Sequence, residues 1–382
     1  MRFSIDAHAI GRRLTGNEVY VRNLLANFAS LDQDSDFIAY LSAADVNGWV
    51  PAGVERRTVA KGPIFRLGYD LARSLRRDRP DLIHVQYTAP LDCPVPVVVS
   101  VHDVSFIEHP EYFRNYRAAQ LRWTVRRTVR LAAKVVTGSE FSREAIARAY
   151  GMKRDEIAVV PNAASSIFRP IDPVRAGQRV ISRFGVSRPF LLTVGDLQPR
   201  KNHLGLIGAF AETLRACPQL RHDLVISGKD TWFAPQVRAA ARESGVGDRI
   251  HFTGFVSDDD LLQLYNACEV FVFPSLYEGF GLPVLEAMAC GQAVACSSAS
   301  ALPEVADSAA ILFDPSSRRD MVGAISDLLL DRELRARMAR LGLARSAQFN
   351  WRTTAERTLR VYHEVAGRPA RIRLTKAASV SL

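Results

Sequence analysis

The sequence contains few cysteines and no long apolar run. Its five cysteines, among 382 residues, are scattered and form no C-x-x-C pair. They are Cys93, Cys217, Cys268, Cys290 and Cys296. This odd number argues against a disulfide framework, so we expect reduced thiols in a cytoplasmic protein. No apolar run reaches the ~20 residues of a membrane helix, and the first residues predict a strand rather than a signal peptide.

Two further absences argue against particular classes of ligand. The loop over residues 9–17, between the first predicted strand and a helix over residues 18–28, lacks G-x-G-x-x-G, which argues against a dinucleotide site. The chain carries a net charge of +10 but shows no nucleic-acid recognition motif and no aromatic stacking platform. We therefore expect no nucleic-acid partner. The excess charge still calls for a partner or surface of opposite sign.

Short apolar runs alternate with helical stretches along the chain. In the first half they cover residues 2–7, 37–41, 82–85, 97–101, 135–137 and 157–160. This alternation predicts an α/β fold with parallel, doubly wound sheets, and the length favours two domains. Ligands of such sheets bind beyond the carboxyl ends of the strands, so the residues that follow each run are candidates for a site.

The stretch from residue 271 to residue 291 combines an apolar run, a glycine loop and a helix. After the run it reads P-S-L-Y-E-G-F-G-L-P-V-L-E-A-M-A-C-G. Glycine lets a backbone approach a ligand closely, and the first turn of a helix presents N–H groups to an anion. Glu278 and Glu286 would repel a phosphate, so we expect them to bind sugar hydroxyls, as carboxylates do with ribose.

Two other strand ends carry candidate residues. G-D-L-Q-P-R-K-N follows residues 190–194, and its adjacent cations, Arg200 and Lys201, predict a site for a diphosphate. His102 follows residues 97–101 within V-S-V-H-D. An imidazole there can hydrogen-bond a sugar hydroxyl, and we expect Asp103 to fix its tautomer.

The motif that holds Glu278 and Glu286 resembles the signature of glycosyltransferase family 4, the retaining transferases of the GT-B fold. The G-x-x-x-P-x-K-N form and the histidine of V-S-V-H-D are also similar to that family. Asp196 departs from it, since several members carry a basic residue directly after this glycine. The resemblance covers residues 1–366, most firmly 190–315, and implies two Rossmann-like domains that face a central cleft.

The resemblance also implies the domain boundaries. Residues 1–170 would form a domain on the acceptor side, and residues 171–350 a domain that binds the nucleotide sugar. The composition of the chain itself, with Pro170, Asp172 and Pro173, predicts the linker near residues 165–185. A last helix over residues 351–366 would cross back to the first domain, and residues 367–382 are predicted to form a basic, flexible tail.

Each candidate residue receives a role from the resemblance. His102 would face the donor sugar, Glu278 would hold hydroxyls of the donor hexose, and Glu286 would hold the ribose. Lys201 and Arg200 would stabilise the leaving diphosphate. The remaining candidates would contact the phosphates or the base, largely through the backbone: Gly16, Gly254, Val256, Gly279, Phe280, Gly281 and Leu282.

The activity implied is retaining transfer of a hexose from a nucleotide sugar to a glycan or lipid-linked saccharide, with GDP-mannose favoured as the donor. The departing phosphate would take the acceptor proton. No D-x-D pair stands beside a glycine loop, so we expect no metal. A UDP-sugar donor, a sugar-nucleotide epimerase or phosphorylase, and a non-catalytic sugar-nucleotide sensor are alternatives. The combination of Glu278, Glu286 and Lys201 argues against the sensor.

A basic segment over residues 112–134 contains no acidic residue. Its cations are Arg114, Arg117, Arg122, Arg126, Arg127, Arg130 and Lys134, interleaved with apolar and aromatic side chains. A second group comprises Arg66, Arg73, Arg76, Arg77 and Arg79. Such a surface suits anionic headgroups, so we expect peripheral contact with the inner face of the cytoplasmic membrane. A solvated helix with one apolar face packed inward is the alternative.

Overall fold

The structure is a computed structural model that describes residues 1–12, 15–42 and 49–367, except the side chain of Thr15. Residues 368–382, most of the predicted basic tail, lie outside the described residues. None of the helices in the described ranges combines the length and the apolar character that a membrane span requires.

The first sheet has seven parallel strands in the order β3-β2-β1-β4-β5-β6-β7. The strands are β1 (Arg2–Asp6), β2 (Asp36–Leu41), β3 (Val54–Thr58), β4 (Leu82–Gln86), β5 (Val97–Ser100), β6 (Lys134–Thr137) and β7 (Ile157–Val159). The first six α-helices are α1 (Thr15–Leu31), α2 (Pro63–Phe65), α3 (Leu71–Asp78), α4 (Ser105–Glu108), α5 (Asn115–Leu131) and α6 (Glu140–Tyr150), and a π-helical turn (Arg66–Asp70) joins α2 to α3.

The second sheet has six parallel strands in the order β10-β9-β8-β11-β12-β13. They are β8 (Phe190–Val194), β9 (Asp223–Ser227), β10 (Ile250–Gly254), β11 (Val270–Phe273), β12 (Val294–Ser297) and β13 (Ile311–Phe313). The remaining helices are α7 (Pro173–Phe184), α8 (His203–Ala216), α9 (Ala234–Glu243), α10 (Asp258–Ala267), α11 (Leu282–Ala289), α12 (Leu302–Ala306), α13 (Arg318–Leu330), α14 (Arg332–Ser346) and α15 (Trp351–Val365).

The two parallel sheets confirm the predicted α/β architecture. Inner strands such as β11 (V-F-V-F) are buried along their whole length, which is why they appear in the sequence as continuous apolar runs. Sequence reasoning missed β3, whose sequence is V-E-R-R-T. Among the described residues this edge strand pairs only with β2, and Val54 is its one buried residue, so it needs no apolar run.

The segment between the sheets is shorter than the predicted linker. Helix α7 begins at Pro173, inside the range expected to be linker, and packs on α10. Phe168 and Val180 already lie in the core of the second domain. Helix α15 returns to the first domain, where Trp351, Leu359 and Tyr362 are buried in the core beside α1.

The strand order reverses at one point in each sheet. In the first sheet β1 lies between β2 and β4, and in the second β8 lies between β9 and β11. Loops that leave neighbouring strands on either side of such a point open a crevice, and ligands of doubly wound sheets bind there. The loops after β8 and β11 hold Lys201 and Glu278, and the loop after β5 holds His102.

The second predicted basic group is not wholly on the surface. Arg66 is buried and forms an ion pair with the buried Asp6 at the end of β1. Arg66 was therefore wrongly assigned to an exposed basic cluster, because its carboxylate partner is distant in sequence. The other arginines of that group are exposed, and α5 carries the first basic group except Arg114, which precedes the helix, and Lys134, which begins β6.

Candidate active site

Two loops of the second domain bring a carboxylate onto two cations. Because β8 and β11 are neighbours, the loops that follow them lie side by side, and Leu276 donates a backbone hydrogen bond to the carbonyl of Arg200 at 2.8 Å. The carboxylate of Glu278 lies 2.6 Å from Nζ of Lys201 and 3.0 Å from Nη1 of Arg200. Lys201 and Glu278 are buried, so this cluster is shielded from solvent.

The charges of this cluster shift one another's pKa values. Burial by itself raises the pKa of Glu278, but the charges of Arg200 and Lys201 outweigh burial and bring it down to about 2. Burial lowers the pKa of Lys201, and Glu278 partly offsets that effect. Burial also acts to lower the pKa of Arg200, but Glu278 and then Asp103 raise it above its usual value. Glu278 is thus ionised at neutral pH, with two cations beside it that can also meet an anionic ligand.

The backbone at Asn202 and Gly195 positions the side chain of Lys201. A short 3-10 turn (Pro199–Lys201) ends at Asn202, whose φ of +55° is left-handed, a conformation that asparagine tolerates well. A Cβ at Gly195 would lie 3.0 Å from Cδ of Lys201, so glycine leaves room for the lysine stem. The ammonium group also lies 4.7 Å from the ring centroid of Phe273, at the end of β11.

Glu286, on α11, is the second buried carboxylate of the motif. The hydroxyl of Tyr265 donates a hydrogen bond to its Oε2 at 2.9 Å. Burial raises the pKa of Glu286 to about 7, with an opposing effect of the Tyr265 hydrogen bond and a further rise from Asp258. A partly ionised, buried carboxylate of this kind is stabilised by hydroxyl donors, and ribose supplies two.

The glycine loop before α11 packs closely against its surroundings. Gly281 caps α11 with φ of +108°, and a Cβ there would lie 2.5 Å from Cδ2 of Leu302. The side chain of Phe280 is buried and packs on Phe349, so any ligand contact of Phe280 would use its backbone. Leu282 packs against the cores of both domains.

The first domain meets this loop directly. A Cβ at Gly279 would lie 1.9 Å from the carbonyl oxygen of His102, so only glycine fits between the domains here. The carbonyl oxygen of Gly279 accepts hydrogen bonds from the hydroxyls of Ser139 at 2.7 Å and Ser142 at 3.0 Å. The structure therefore brings His102 to the same cleft as Glu278, across the domain boundary.

His102 is oriented by a residue other than the expected one. Its Nε2 lies 2.9 Å from Oε1 of Gln86. Asp103 instead accepts two hydrogen bonds from Ser105, from the backbone N–H at 2.9 Å and the hydroxyl at 2.6 Å. The expectation that Asp103 fixes the tautomer was wrong, because its carboxylate closes the turn into α4.

Three predicted positions lie at the borders of the cleft. Gly16 lies in the exposed first turn of α1, which begins three residues earlier than the sequence predicts, and a Cβ there would meet nothing within 4 Å. Gly254 ends β10 with φ of +69°, and its carbonyl accepts from the N–H of Gly228 at 3.0 Å. Val256 packs on the second core, two residues before Asp258. Their contacts with a nucleotide remain predictions.

Sequence reasoning assigned no role to several residues that complete the cleft. Tyr265 binds Glu286, Gln86 binds His102, and Ser139 and Ser142 hold the glycine loop. Gln86, Ser139 and Ser142 follow or end strands, so the strand-end rule could have found them. The carboxylate of Glu304 accepts from two N–H groups at the start of α6, at 2.9 and 3.2 Å, and no sequence signal indicated that contact.

Comparison with known proteins agrees with this geometry. Two family models match in chain order: Glycosyltransferase Family 4 over residues 14–165 and Glycosyl transferases group 1 over residues 175–344. The O-antigen chain mannosyltransferase B of Escherichia coli is 33% identical over 266 residues, which cover 69% of this chain and 69% of that protein. The serotype-specific mannosyltransferase WbdA of Escherichia coli is 35% identical over 230 residues, 59% of this chain but only 26% of that protein.

The fold has close structural neighbours. Sucrose-phosphate synthase from Thermosynechococcus elongatus superposes with a TM-score of 0.78 at 22% identity, over 96% of this chain and 99% of that one. The family models, the relatives and the paired sheets agree with the motif around Glu278 and Glu286. The chain therefore belongs to glycosyltransferase family 4 and has the two-domain GT-B fold.

Proposed function

We propose that this glycosyltransferase transfers mannose from GDP-mannose, with retention of configuration, to a glycan or lipid-linked saccharide during polysaccharide assembly. The observation that carries the proposal is the buried contact of Glu278 with Lys201 and Arg200, placed across the cleft from His102. The Escherichia coli relatives named as mannosyltransferases support the choice of sugar.

Each group in the cleft has a task in this reaction. Lys201 and Arg200 stabilise the negative charge that develops on the departing diphosphate, together with N–H groups at the start of α11. Glu278 keeps lone pairs beyond those used by the two cations, and these accept hydrogen bonds from hydroxyls of the donor hexose. Glu286 accepts from the ribose hydroxyls.

Retention follows from attack on the face that the diphosphate leaves. Glu278 is a poor covalent nucleophile, because two cations hold its carboxylate and lower its pKa to about 2. Asp103 is occupied by Ser105. We therefore propose that the acceptor hydroxyl attacks the anomeric carbon, the bond from that carbon to the phosphate oxygen breaks, and the same phosphate takes the acceptor proton.

The first experiment is a thermal melt of the purified protein with GDP, UDP, dTDP and ADP, each with magnesium and with EDTA. A ligand at a hundred times its Kd stabilises a protein by about 2.7 kcal/mol. We expect GDP to raise Tm equally in magnesium and in EDTA. A shift with UDP alone would replace the donor, and no shift with any nucleotide would contradict the diphosphate site.

The second experiment follows transfer itself. GDP-mannose and a saccharide acceptor are incubated with the protein in EDTA, and the product is examined by NMR. We expect the new bond to keep the α configuration of the donor. A β-linked product would contradict retention, and activity only with added metal would contradict metal independence. Conversion of the nucleotide sugar without any acceptor would favour an epimerase.

A continuous face of the first domain fits a membrane-bound acceptor on the cytoplasmic side. Helix α5 exposes Trp123 and Tyr116 among its arginines, and Ile64 and Phe65 are also exposed. Loop 88–91 connects α5 to the segment that carries Ile64 and Phe65. Arg127 of α5 donates hydrogen bonds to carbonyls of this loop, and the N–H of Leu91, in the loop, donates to the carbonyl of Leu67. Exposed apolar side chains beside arginines suit an anionic bilayer, where each cation contributes about 1 kcal/mol.

Vesicle sedimentation tests this face. We expect binding to vesicles with anionic lipid at low salt, weaker binding at high salt, and weaker binding for the double variant Ile64→Ser with Phe65→Ser. Leu330→Ser is the matched control, since Leu330 is an exposed leucine on the second domain. Equal binding of all proteins, or none to anionic vesicles, would contradict membrane docking.

A further inference from the structure

The side chain of Gln86 connects three parts of the first domain. Gln86 ends β4 and is 7% exposed. Its Nε2 donates to the backbone carbonyl of Asn17, in the first turn of α1, at 3.2 Å. Its Oε1 lies 2.9 Å from Nε2 of His102, in the loop after β5.

These contacts fix which atom of each group donates. A backbone carbonyl can only accept, so the amide nitrogen of Gln86 must face Asn17 and the amide oxygen must face His102. That oxygen carries no hydrogen, so Nε2 of His102 is the donor in this contact. In a neutral imidazole with a proton on Nε2, the other nitrogen, Nδ1, carries a lone pair and accepts.

The imidazole is neutral at physiological pH. Burial lowers the pKa of His102 to about 4, although the charge of Asp103 acts in the opposite direction. The other titratable groups around the ring are Tyr20 from α1, Tyr87 after β4, and the neighbouring His84 on β4. The pKa values of Tyr20 and His84 are shifted by burial toward the neutral form of each side chain.

The ring plane is fixed as well as the tautomer. The rings of Tyr20 and Tyr87 contact the imidazole edge to face, with centroids at 4.9 and 5.6 Å. Within the described ranges Nδ1 has no hydrogen-bond partner, whereas Nε2 is bonded to Gln86. The imidazole is half-buried at the carboxyl end of the sheet, where the backbone of His102 meets Gly279 of the second domain.

We infer that Gln86 is a positioning residue that holds His102 with its proton on Nε2, so that Nδ1 accepts a hydrogen bond from a hydroxyl of the donor hexose. The hydroxyl contact rests on the proposed function, whereas the tautomer does not. An acceptor at this position binds a hexose that carries the hydroxyl and gains nothing from a deoxy sugar. Gln86 thereby contributes to the choice of sugar without touching it.

The direct test is NMR of the ligand-free protein with its eight histidines labelled with ¹⁵N. The His102 signals are assigned by their loss in His102→Asn, and couplings from the ring protons show which nitrogen is protonated. We expect the proton on Nε2 in the wild type and a mixture of tautomers in Gln86→Leu. A proton on Nδ1 in the wild type, or an unchanged tautomer in Gln86→Leu, would overturn the inference.

A second variant covers the case in which Gln86→Leu does not fold. In Gln86→Glu a carboxylate faces the imidazole, which raises the pKa of His102 and favours the imidazolium. An imidazolium has N–H groups at both nitrogens and cannot accept. As the pH decreases, transfer by Gln86→Glu should therefore fall more steeply than transfer by the wild type. Parallel pH profiles would count against the positioning role.

Steady-state kinetics test whether the tautomer of His102 affects recognition of the donor hexose. We expect Gln86→Leu to lower kcat/KM for the full hexose donor about tenfold, and to lower it much less for the donor that lacks the bound hydroxyl. Ser4→Ala is the control, since it removes a buried hydrogen bond to the carbonyl of Leu82 in the same sheet, away from His102. If the NMR result holds but no nucleotide sugar is turned over, the proposed function fails and the tautomer assignment stands.

Discussion

The carboxylate of Glu278 lies 2.6 Å from the ammonium group of Lys201, although the two residues are 77 positions apart in the sequence. Both side chains are buried, and Arg200 completes the cluster at 3.0 Å. An unpaired carboxylate at this depth would be costly, so the two cations stabilise Glu278 in its ionised form. We propose that the same cations contact the diphosphate while Glu278 holds the donor hexose, so this cluster would couple the sugar site to the leaving group.

The first prediction concerns Lys201. Lys201→Ala should lower turnover about 10²- to 10³-fold, because one positive charge at the developing diphosphate is lost. It should also weaken GDP binding, measured by calorimetry. Lys134→Ala is the matched control: Lys134 forms an ion pair with Glu364 at 3.1 Å, at the amino end of β6. Unchanged turnover in Lys201→Ala would remove the diphosphate role.

The second prediction concerns pH and Glu286. In the proposed site the ribose hydroxyls would donate to an ionised Glu286, and burial raises the pKa of this carboxyl to about 7. Affinity for the nucleotide should therefore be highest above pH 7. It should decrease as the pH falls below 7, by up to about tenfold per pH unit. Because the diphosphate itself also titrates, the comparison is with Glu286→Gln, whose affinity should be lower at pH 8 and less dependent on pH. Identical pH profiles for both proteins would exclude a ribose contact by the carboxylate.

The third prediction concerns the contact between the domains. A Cβ at Gly279 would lie 1.9 Å from the carbonyl oxygen of His102, so Gly279→Ala should push the domains apart. Misplacement of reacting groups by about 1 Å can cost up to 10²-fold in rate. GDP binding should change less, since Lys201, Arg200 and Glu286, the side chains proposed to bind the diphosphate and ribose, belong to the second domain. Gly177→Ala is the control, because a Cβ there meets nothing within 4 Å. Full activity of Gly279→Ala would show that this contact is absent during turnover.

The fourth prediction concerns the returning helix α15. Leu359 is fully buried in the first core, so Leu359→Ala should lower the free energy of unfolding by about 2–5 kcal/mol. Arg360→Ala, one residue further and exposed, should change it by less than about 0.5 kcal/mol. Denaturant unfolding measures both. Equal stability of the two variants would mean that α15 does not pack on the first domain in solution.

Much of the fold follows from the sequence. Short apolar runs predicted β1, β2, β4 to β7, β8 and β11, and the last helix was predicted over residues 351–366, one residue beyond the end of α15. The edge strand β3 was not visible, because Val54 is its one buried residue and the charged residues that follow break the apolar pattern. The first turn of α1 was also missed, since it contains Gly16, and glycine favours a loop over a helix.

The candidate site, like the fold, was only partly predictable from the sequence. The sequence alone determined the residue types and their local spacing: two glutamates around a glycine loop, two adjacent cations after a strand, and a histidine at a strand end. Only the tertiary structure decided their partners. Gln86 rather than Asp103 binds His102, Tyr265 binds Glu286, and Arg66 is buried against Asp6. Local patterns report what a residue can do chemically, whereas contacts between distant strand ends depend on the order of the strands in the sheet, which those patterns do not encode.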